Sequence, residues 1–133
     1  MSEVGIRSLL DRFELGWRKA DPEILKSTWD PEYRDCIYIA SEAEGPIFGF
    51  DEIAKYYDAA TTMYPITRME ISNVTVCEYG DLAYAFCDIS IGFKVQQSEY
   101  LVHPRATFLL RRRQNDWYSI HYHESIKYEV PQS

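Results

Sequence analysis

The apolar residues in the first half of the chain recur at helical spacing. Between residues 3 and 19 they follow one another at steps of three or four, which predicts an amphipathic helix. This stripe comprises Ile6, Leu9, Leu10, Phe13 and Trp17. The sequence Asp21-Pro22-Glu23 supplies an N-cap, a first-turn proline and an early acid, so a second short helix is expected over about 22–29. Asp51 is expected to cap a third helix with the sequence DEIAKYYDAATTM.

From Ile66 onward the pattern changes to long β-type runs. We expect strands at about 67–78, 82–95, 99–112 and 116–128, because turn signals such as Gly80 and Gln114-Asn115 separate these runs. Short turns between long strands predict an antiparallel meander. A short strand is expected at 36–40, and one further strand in the loop that follows it. Helices first and a meander after them indicate an α+β fold, with the helices on one face of the sheet.

Length and charge narrow the class of protein. The 133 residues suffice for one domain, which we assign to 1–133. A net charge of -7 disfavours a nucleic-acid partner, and the basic run Arg111-Arg112-Arg113 lies just before a turn. We expect no membrane association and a cytoplasmic location, since no apolar stretch is long enough for a span or a signal peptide. The three cysteines lack CxxC spacing and are expected to be reduced.

Three segments carry a resemblance to a known family. They are the helix that ends in Trp17 before Ala-Asp-Pro, the helix start GFDEI at 49–53, and the pair RATFLLRR at 105–112 and WYSIHYHES at 117–125. Together they resemble the SnoaL-like and ketosteroid isomerase-like branch of the nuclear transport factor 2-like superfamily. The last hairpin also resembles the calcium/calmodulin-dependent kinase II association domain. The resemblance implies a curved antiparallel sheet wrapped over three N-terminal helices, which forms a cone with a pocket inside.

The catalytic residues of two relatives are missing from this chain. The resemblance places the ketosteroid isomerase base at Ala40, its tyrosine at Phe13 and its second aspartate at Ala106. Alanine and phenylalanine cannot transfer a proton, so that isomerase reaction is not expected. The Asp-Arg-Asp arrangement of limonene epoxide hydrolases is not met either, because Asp88 and Arg105 could meet only across strands.

The family architecture then suggests which residues face the pocket. Alternate residues of a strand point to opposite faces, although a bulge would reverse a face. The inward set is expected to be Tyr118, Ile120, Tyr122 and Glu124 on the last strand, Ala106, Phe108 and Leu110 on the strand before it, and Tyr84, Phe86, Asp88 and Ser90 on the strand from 82. We expect Asp88 and Glu124 to be the catalytic acid and base, since an aromatic cavity would raise a carboxyl pKa. The alternative is that each lies in water or pairs with Arg105 or Arg68.

Aromatic side chains are expected to form the substrate-binding wall, and no cofactor is implied. The predicted substrate-binding residues are Phe13, Trp17, Tyr38, Tyr57, Tyr84, Phe86, Phe108 and Tyr122.

Two further predictions concern the outer sheet face. His121 and His123, with His103, have a spacing that some zinc or iron sites use, but they are expected to point away from the cone, so no metal is predicted. A row of Cys87, Ile89, Ile91 and Phe93 is expected to be apolar and outward, which favours a homodimer formed sheet to sheet. The alternative is that this row lies at a sheet edge or is covered by the C-terminal segment.

These expectations give one main function and one alternative. The main function is a small-molecule pocket for an apolar or aromatic compound, with metal-independent acid/base chemistry of the isomerase, cyclase or dehydratase type. The alternative is a non-catalytic, homo-oligomeric ligand-binding or association module.

Overall fold

The computed structural model describes residues 2–63 and 65–128, with side chains from residue 5 onward. The described helices are α1 (Ser2–Arg18), α2 (Pro22–Lys26) and α3 (Phe50–Met63). The described strands are β1 (Ile37–Ile39), β2 (Ile47–Phe48), β3 (Ile66–Tyr79), β4 (Leu82–Val95), β5 (Ser98–Val102), β6 (Arg105–Arg113) and β7 (Asp116–Ser125). The α+β fold is confirmed, with its helices before the long strands.

One sheet contains all of these strands, in the order β2-β1-β7-β6-β4-β3, and β5 also pairs with β4. The pairs are antiparallel except for β1 and β7, which run parallel. The run expected as one strand over 99–112 is two strands, because Pro104 has no N–H to donate. Its carbonyl instead accepts a hydrogen bond from Ile89 N at 2.9 Å.

Helices α2 and α3 begin close to the residues that the sequence predicts, whereas α2 ends earlier than predicted. Asp21 caps α2 as expected, accepting hydrogen bonds from the backbone of Glu23 and Ile24. The helix ends at Lys26, before the expected residue 29, because the next segment bonds to β7. There the N–H of Ser119 donates to the carbonyl of Thr28 at 2.7 Å. The helix α3 begins one residue before its expected cap, after a glycine at position 49 with φ of +88°.

Helix α1 lies against the sheet and forms one wall of the interior. Its Glu14 accepts a hydrogen bond from Ile71 N at 2.9 Å, and its Arg18 donates to Met69 O at 3.1 Å, so both ends of one helical turn are tied to β3. Gly16 lets α2 approach α1, since a methyl group at this position would lie 2.7 Å from Leu25 Cγ. These contacts fix the helix layer on one face of the sheet.

A bulge in β7 changes which residues face the helices. Leu109 pairs with His121 but Leu110 pairs with Ser119, so Ile120 is an extra residue in β7. The expectation that Trp117 faces outward is therefore wrong: its ring is buried and lies against Gly5 of α1. The expectation that Tyr118 faces the pocket is wrong for the same reason.

Among the described helices, none is long and apolar enough to cross a membrane.

Candidate functional site

A cavity of about 270 Å³ lies between the helix layer and the curved sheet. It is lined by residues of helix α1, of β1 and the loop after it, of strands β3, β4, β5 and β7, and of the segment that follows β7. The lining residues are Phe13, Trp17, Tyr38, Ser41, Glu42, Ile66, Met69, Ile91, Phe93, Val102, Tyr122, Glu124 and Ile126. Most of this wall is apolar or aromatic, and its polar groups are concentrated at Ser41, Glu42 and Glu124. Such a cavity fits a small molecule with an apolar body.

Cross-strand pairing shows which faces of the strands point inward. In one row Cys87, Ala106 and Glu124 stand side by side on β4, β6 and β7. In the next row along these strands, Ala85 stands beside Phe108 and Tyr122. All of these side chains are buried on the helix side. The small residues on β4 and β6 leave space that Tyr122 and Glu124 can occupy.

Glu124 is the most enclosed carboxyl group of the cavity, with 8% of the residue exposed. Tyr122 Oη donates to its Oε1 at 2.6 Å, and Ser41 N donates to its Oε2 at 3.1 Å. Burial, followed by the charge of Glu124, raises the pKa of Tyr122 well above its usual value, so this phenol remains a donor. These two donors fix the orientation of the carboxylate at the cavity wall.

Glu42 is a second carboxyl group at the same cavity, on the loop after β1. Its Oε1 accepts a hydrogen bond from Tyr56 Oη at 2.7 Å. Burial of the carboxyl end raises the pKa of Glu42, the hydrogen bond from Tyr56 lowers it, and the charge of Glu124 raises it again. The residue as a whole is exposed, so Glu42 lies at the rim while Glu124 lies deeper.

The aromatic side chains of the interior form a continuous cluster around this cavity. Four of the residues expected to bind substrate line it, namely Phe13, Trp17, Tyr38 and Tyr122, and the rings of Tyr38 and Tyr122 are stacked with centroids 5.0 Å apart. Two other predicted wall residues lie behind this layer. Phe108 packs against Phe13 and Tyr122, while the hydroxyl of Tyr57 accepts a hydrogen bond from Trp29 Nε1 at 2.8 Å. These two rings support the wall but do not line the cavity.

The predicted inward face of β4 is wrong. Tyr84, Phe86, Asp88 and Ser90 lie on the outer face of the sheet, opposite the cavity, and Asp88 accepts a hydrogen bond from Asn73 at 2.8 Å. Both faces of β4 carry apolar residues, so alternation alone could not identify the buried one. The interior beside β4 is filled by Phe108 and Tyr122, which leaves room for alanine and cysteine but not for two more aromatic rings.

The same reversal affects the expected outer apolar row. Cys87 and Ile89 are buried on the helix side, and Ile91 and Phe93 line the cavity. This row therefore cannot form a sheet-to-sheet interface. The outer face instead carries cross-strand rows that bring Phe86 beside Thr107 and His123, and Tyr84 beside Leu109 and His121.

The histidine pair lies on this outer face, as predicted. The ring centroids of His121 and His123 are 6.3 Å apart, and burial, followed by the charge of His123, lowers the pKa of His121. His103 lies elsewhere, within hydrogen-bond distance of Ser90. Within residues 2–63 and 65–128, no group of three or more His, Cys, Asp or Glu side chains could hold a metal ion.

Sequence reasoning missed Glu42 and most of the cavity's apolar rim. Glu42 lies in the loop 41–50, where no periodicity indicates a direction for a side chain. Met69 and Val102 fall in predicted strands without an assigned face, and Ile66 lies one residue before the strand expected over 67–78.

Comparison with known proteins identifies relatives of both sequence and fold. The model of the SnoaL-like domain matches residues 6–129. A search of curated protein sequences finds no significant match. Among solved structures, a candidate dehydratase of the NTF2-like family from Streptomyces avermitilis superimposes with a TM-score of 0.85 at 17% identity, covering 96% of this chain and 98% of that one.

Two other solved structures have the same architecture. A candidate calcium/calmodulin-dependent protein kinase II association domain from Xanthomonas campestris has a TM-score of 0.79 at 19% identity, covering 94% of this chain and 87% of that one. A candidate aromatic ring hydroxylase from Novosphingobium aromaticivorans has a TM-score of 0.80 at 15% identity, covering 96% and 90%. At these identities the likeness shows the fold alone, which is the NTF2-like, cystatin-like cone.

Proposed function

This chain belongs to the SnoaL-like domain family, and we propose on that premise that its cavity binds an apolar or aromatic small molecule and transfers a proton with Glu124. The observation that carries the proposal is the setting of Glu124, which is a buried carboxylate at an aromatic cavity wall. Within the described part of the chain it forms no ion pair. A structural carboxylate is usually neutralised by a cation, whereas a general base must keep a free lone pair for its substrate.

The two carboxyl groups suit opposite roles. Glu124 is held by hydrogen bonds that favour an acceptor, so it serves as the base. Glu42, whose pKa is raised chiefly by burial, can retain a proton nearer to neutral pH and serves as the acid. Tyr38 and Tyr122 orient the substrate between them. An acid and a base at one apolar cavity support isomerisation, cyclisation or dehydration, and the Streptomyces neighbour is itself described as a candidate dehydratase.

A generic proton-transfer probe tests this proposal without knowledge of the substrate. In 5-nitrobenzisoxazole a carboxylate removes the ring C–H proton, the N–O bond breaks, and a nitrile and a coloured phenolate form. We expect the protein to catalyse this reaction and Glu124→Gln to lower kcat/KM by about a hundredfold or more, the usual contribution of a general base. Absorbance of the phenolate follows the rate.

The matched control is Asp88→Asn, which changes a carboxylate on the outer face of the same sheet. Its rate should equal that of the wild type. The acid/base proposal fails if the wild-type protein gives no rate above that of a carboxylate buffer, or if Glu124→Gln leaves the rate unchanged. Circular dichroism of each variant checks that the fold is intact.

The second candidate function is a homo-oligomeric binding module, and the outer sheet face favours it. Phe86 and Leu109 are 40% and 36% exposed there, on neighbouring strands, beside the two histidines. A twofold dimer formed through this face would bury them. Analytical ultracentrifugation should show a wild-type dimer that Phe86→Asp dissociates, while Met63→Asp on the helix layer leaves the dimer intact. A monomeric wild-type protein would contradict this assembly.

We also propose that the protein is located in the reducing environment of the cytoplasm. Cys36, Cys77 and Cys87 are free thiols. Burial raises the pKa of Cys87 to about 12 and that of Cys36 to about 11, which makes both unreactive. Reduced, buried thiols of this kind are typical of cytoplasmic proteins.

A further inference from the structure

The polar groups of the cavity carry charge of one sign. The described residues that line it include Glu42 and Glu124 but no Lys, Arg or His. Neither carboxyl group forms an ion pair within the described residues. Because the rest of the wall is apolar, the field of these groups is weakly screened inside the cavity. The net charge of -7 adds to the same sign of potential, so the cavity disfavours an anionic ligand.

The aromatic wall favours the same sign of ligand charge. Five rings border the cavity, and the faces of aromatic rings attract a cation through their quadrupole. These rings belong to Phe13, Trp17, Tyr38, Phe93 and Tyr122. Aromatic walls alone would accept any apolar body. Together with carboxylates and without a basic residue, they discriminate in favour of an apolar body that carries a positive charge.

Glu42 has unused capacity for such a charge. A carboxylate offers about four lone-pair positions, and Glu42 accepts hydrogen bonds from Tyr56 at 2.7 Å and from its own backbone N–H, so further positions are left for a ligand. Its position at the rim lets a charged group remain partly hydrated, which reduces the cost of binding it. The negative charge of Glu124 raises the pKa of Glu42 and so disfavours its ionised form in the empty cavity. A positively charged group of the ligand, placed beside Glu42, would offset this repulsion between the two carboxylates.

We propose that the ligand of this cavity is an apolar or aromatic molecule that carries a protonated amine, with the ammonium group against Glu42 at the rim. The apolar body then lies among the aromatic rings, beside Glu124. This inference rests on the proposed function, because it specifies the ligand class of the same cavity. The ammonium group favours the ionised form of Glu42, so with this ligand the protonated amine replaces the Glu42 carboxyl group as the acid, and Glu124 remains the base.

Three probes with one aromatic body test the charge preference directly. They are 2-(2-naphthyl)ethylamine, which is a cation near neutral pH, 2-(2-naphthyl)ethanol, which is neutral, and 2-naphthylacetate, which is an anion. Isothermal titration calorimetry with the wild-type protein should show that the amine binds about tenfold more tightly than the alcohol, a ratio typical of one partly hydrated cation site. The anion should bind most weakly.

Matched variants locate the preference. Glu42→Gln should reduce the affinity for the amine to about that for the alcohol and leave the affinity for the alcohol unchanged. Glu44→Gln, an exposed glutamate of the same loop that does not line the cavity, should change neither. Equal binding of all three probes to the wild-type protein would overturn the cation preference and leave the proposed binding function standing. If none of them binds, both fail. A preference for the amine that survives in the Glu42→Gln/Glu124→Gln double variant would overturn the assignment to these carboxylates.

Discussion

Removing the hydroxyl group of Tyr122 should weaken the support of Glu124 without disturbing the aromatic packing. In Tyr122→Phe the ring keeps its neighbours, with centroids 4.9 Å from Phe108 and 5.3 Å from Phe13. The lost interaction is the 2.6 Å hydrogen bond to Glu124 Oε1. A hydrogen bond to a charged group contributes about 1.5–3 kcal/mol, so the free energy of unfolding should fall by about 2 kcal/mol.

The natural control is Tyr38→Phe. Tyr38 is equally buried, lines the same cavity and stacks on Tyr122, but its hydroxyl forms no hydrogen bond within the described residues. This variant should lose no more than about 0.5 kcal/mol. Urea denaturation followed by circular dichroism gives both values, and an unchanged dependence on urea concentration shows that only stability has changed.

A double-mutant cycle isolates the pair. Tyr122→Phe and Glu124→Gln should be less costly together than the sum of the single variants, with a coupling energy of about 1 kcal/mol or more. The reasoning is refuted if Tyr122→Phe costs no more than Tyr38→Phe, or if the two changes are additive. In either case Glu124 would not be held by Tyr122 in solution.

Three further predictions concern packing, charge and pH. Gly16→Ala should cost about 1–3 kcal/mol in urea denaturation, because its methyl group would lie 2.7 Å from a leucine of α2, whereas Gly45→Ala, with nothing within 4 Å, should be neutral; equal effects would contradict the close helix contact. Asp30→Ala should lower the free energy of unfolding by about 2–4 kcal/mol, because it removes a fully buried carboxylate that is paired with an arginine. Asp81→Ala removes an exposed ion pair and should lower it by only about 0–1 kcal/mol. Similar losses in the two variants would contradict the role of burial. The pKa of His121 in the folded protein is lowered below 6.5, so the unfolded chain binds more protons and the free energy of unfolding should decrease as pH falls below this value. His121→Gln should show a weaker decrease. The same pH dependence in both proteins would contradict the lowered pKa of His121.

The sequence predicted the order of the elements because the signals for helices, strands and turns are local. The stripe of α1, the Asp21 cap of α2 and the turn residues Gln114 and Asn115, both with positive φ, act within a few residues of the chain. The resemblance supplied the arrangement of these elements in a cone. Tyr122 and Glu124 were placed inward correctly, since they lie beyond the bulge and keep the alternation expected from the end of β7.

Tertiary structure alone decided which face of β4 is buried, where β7 bulges and where Glu42 lies. Apolar residues occupy both faces of β4, so the choice depended on the volume that Phe108 and Tyr122 take from neighbouring strands. The extra residue Ile120 shifts the register by one and thereby moves Trp117 to the helix side. Glu42 comes from a loop without periodicity, and it reaches the same cavity as Glu124 only in the folded chain, because the two residues are 82 positions apart in sequence. Local patterns therefore determined the elements, while competition for space between distant side chains determined the site.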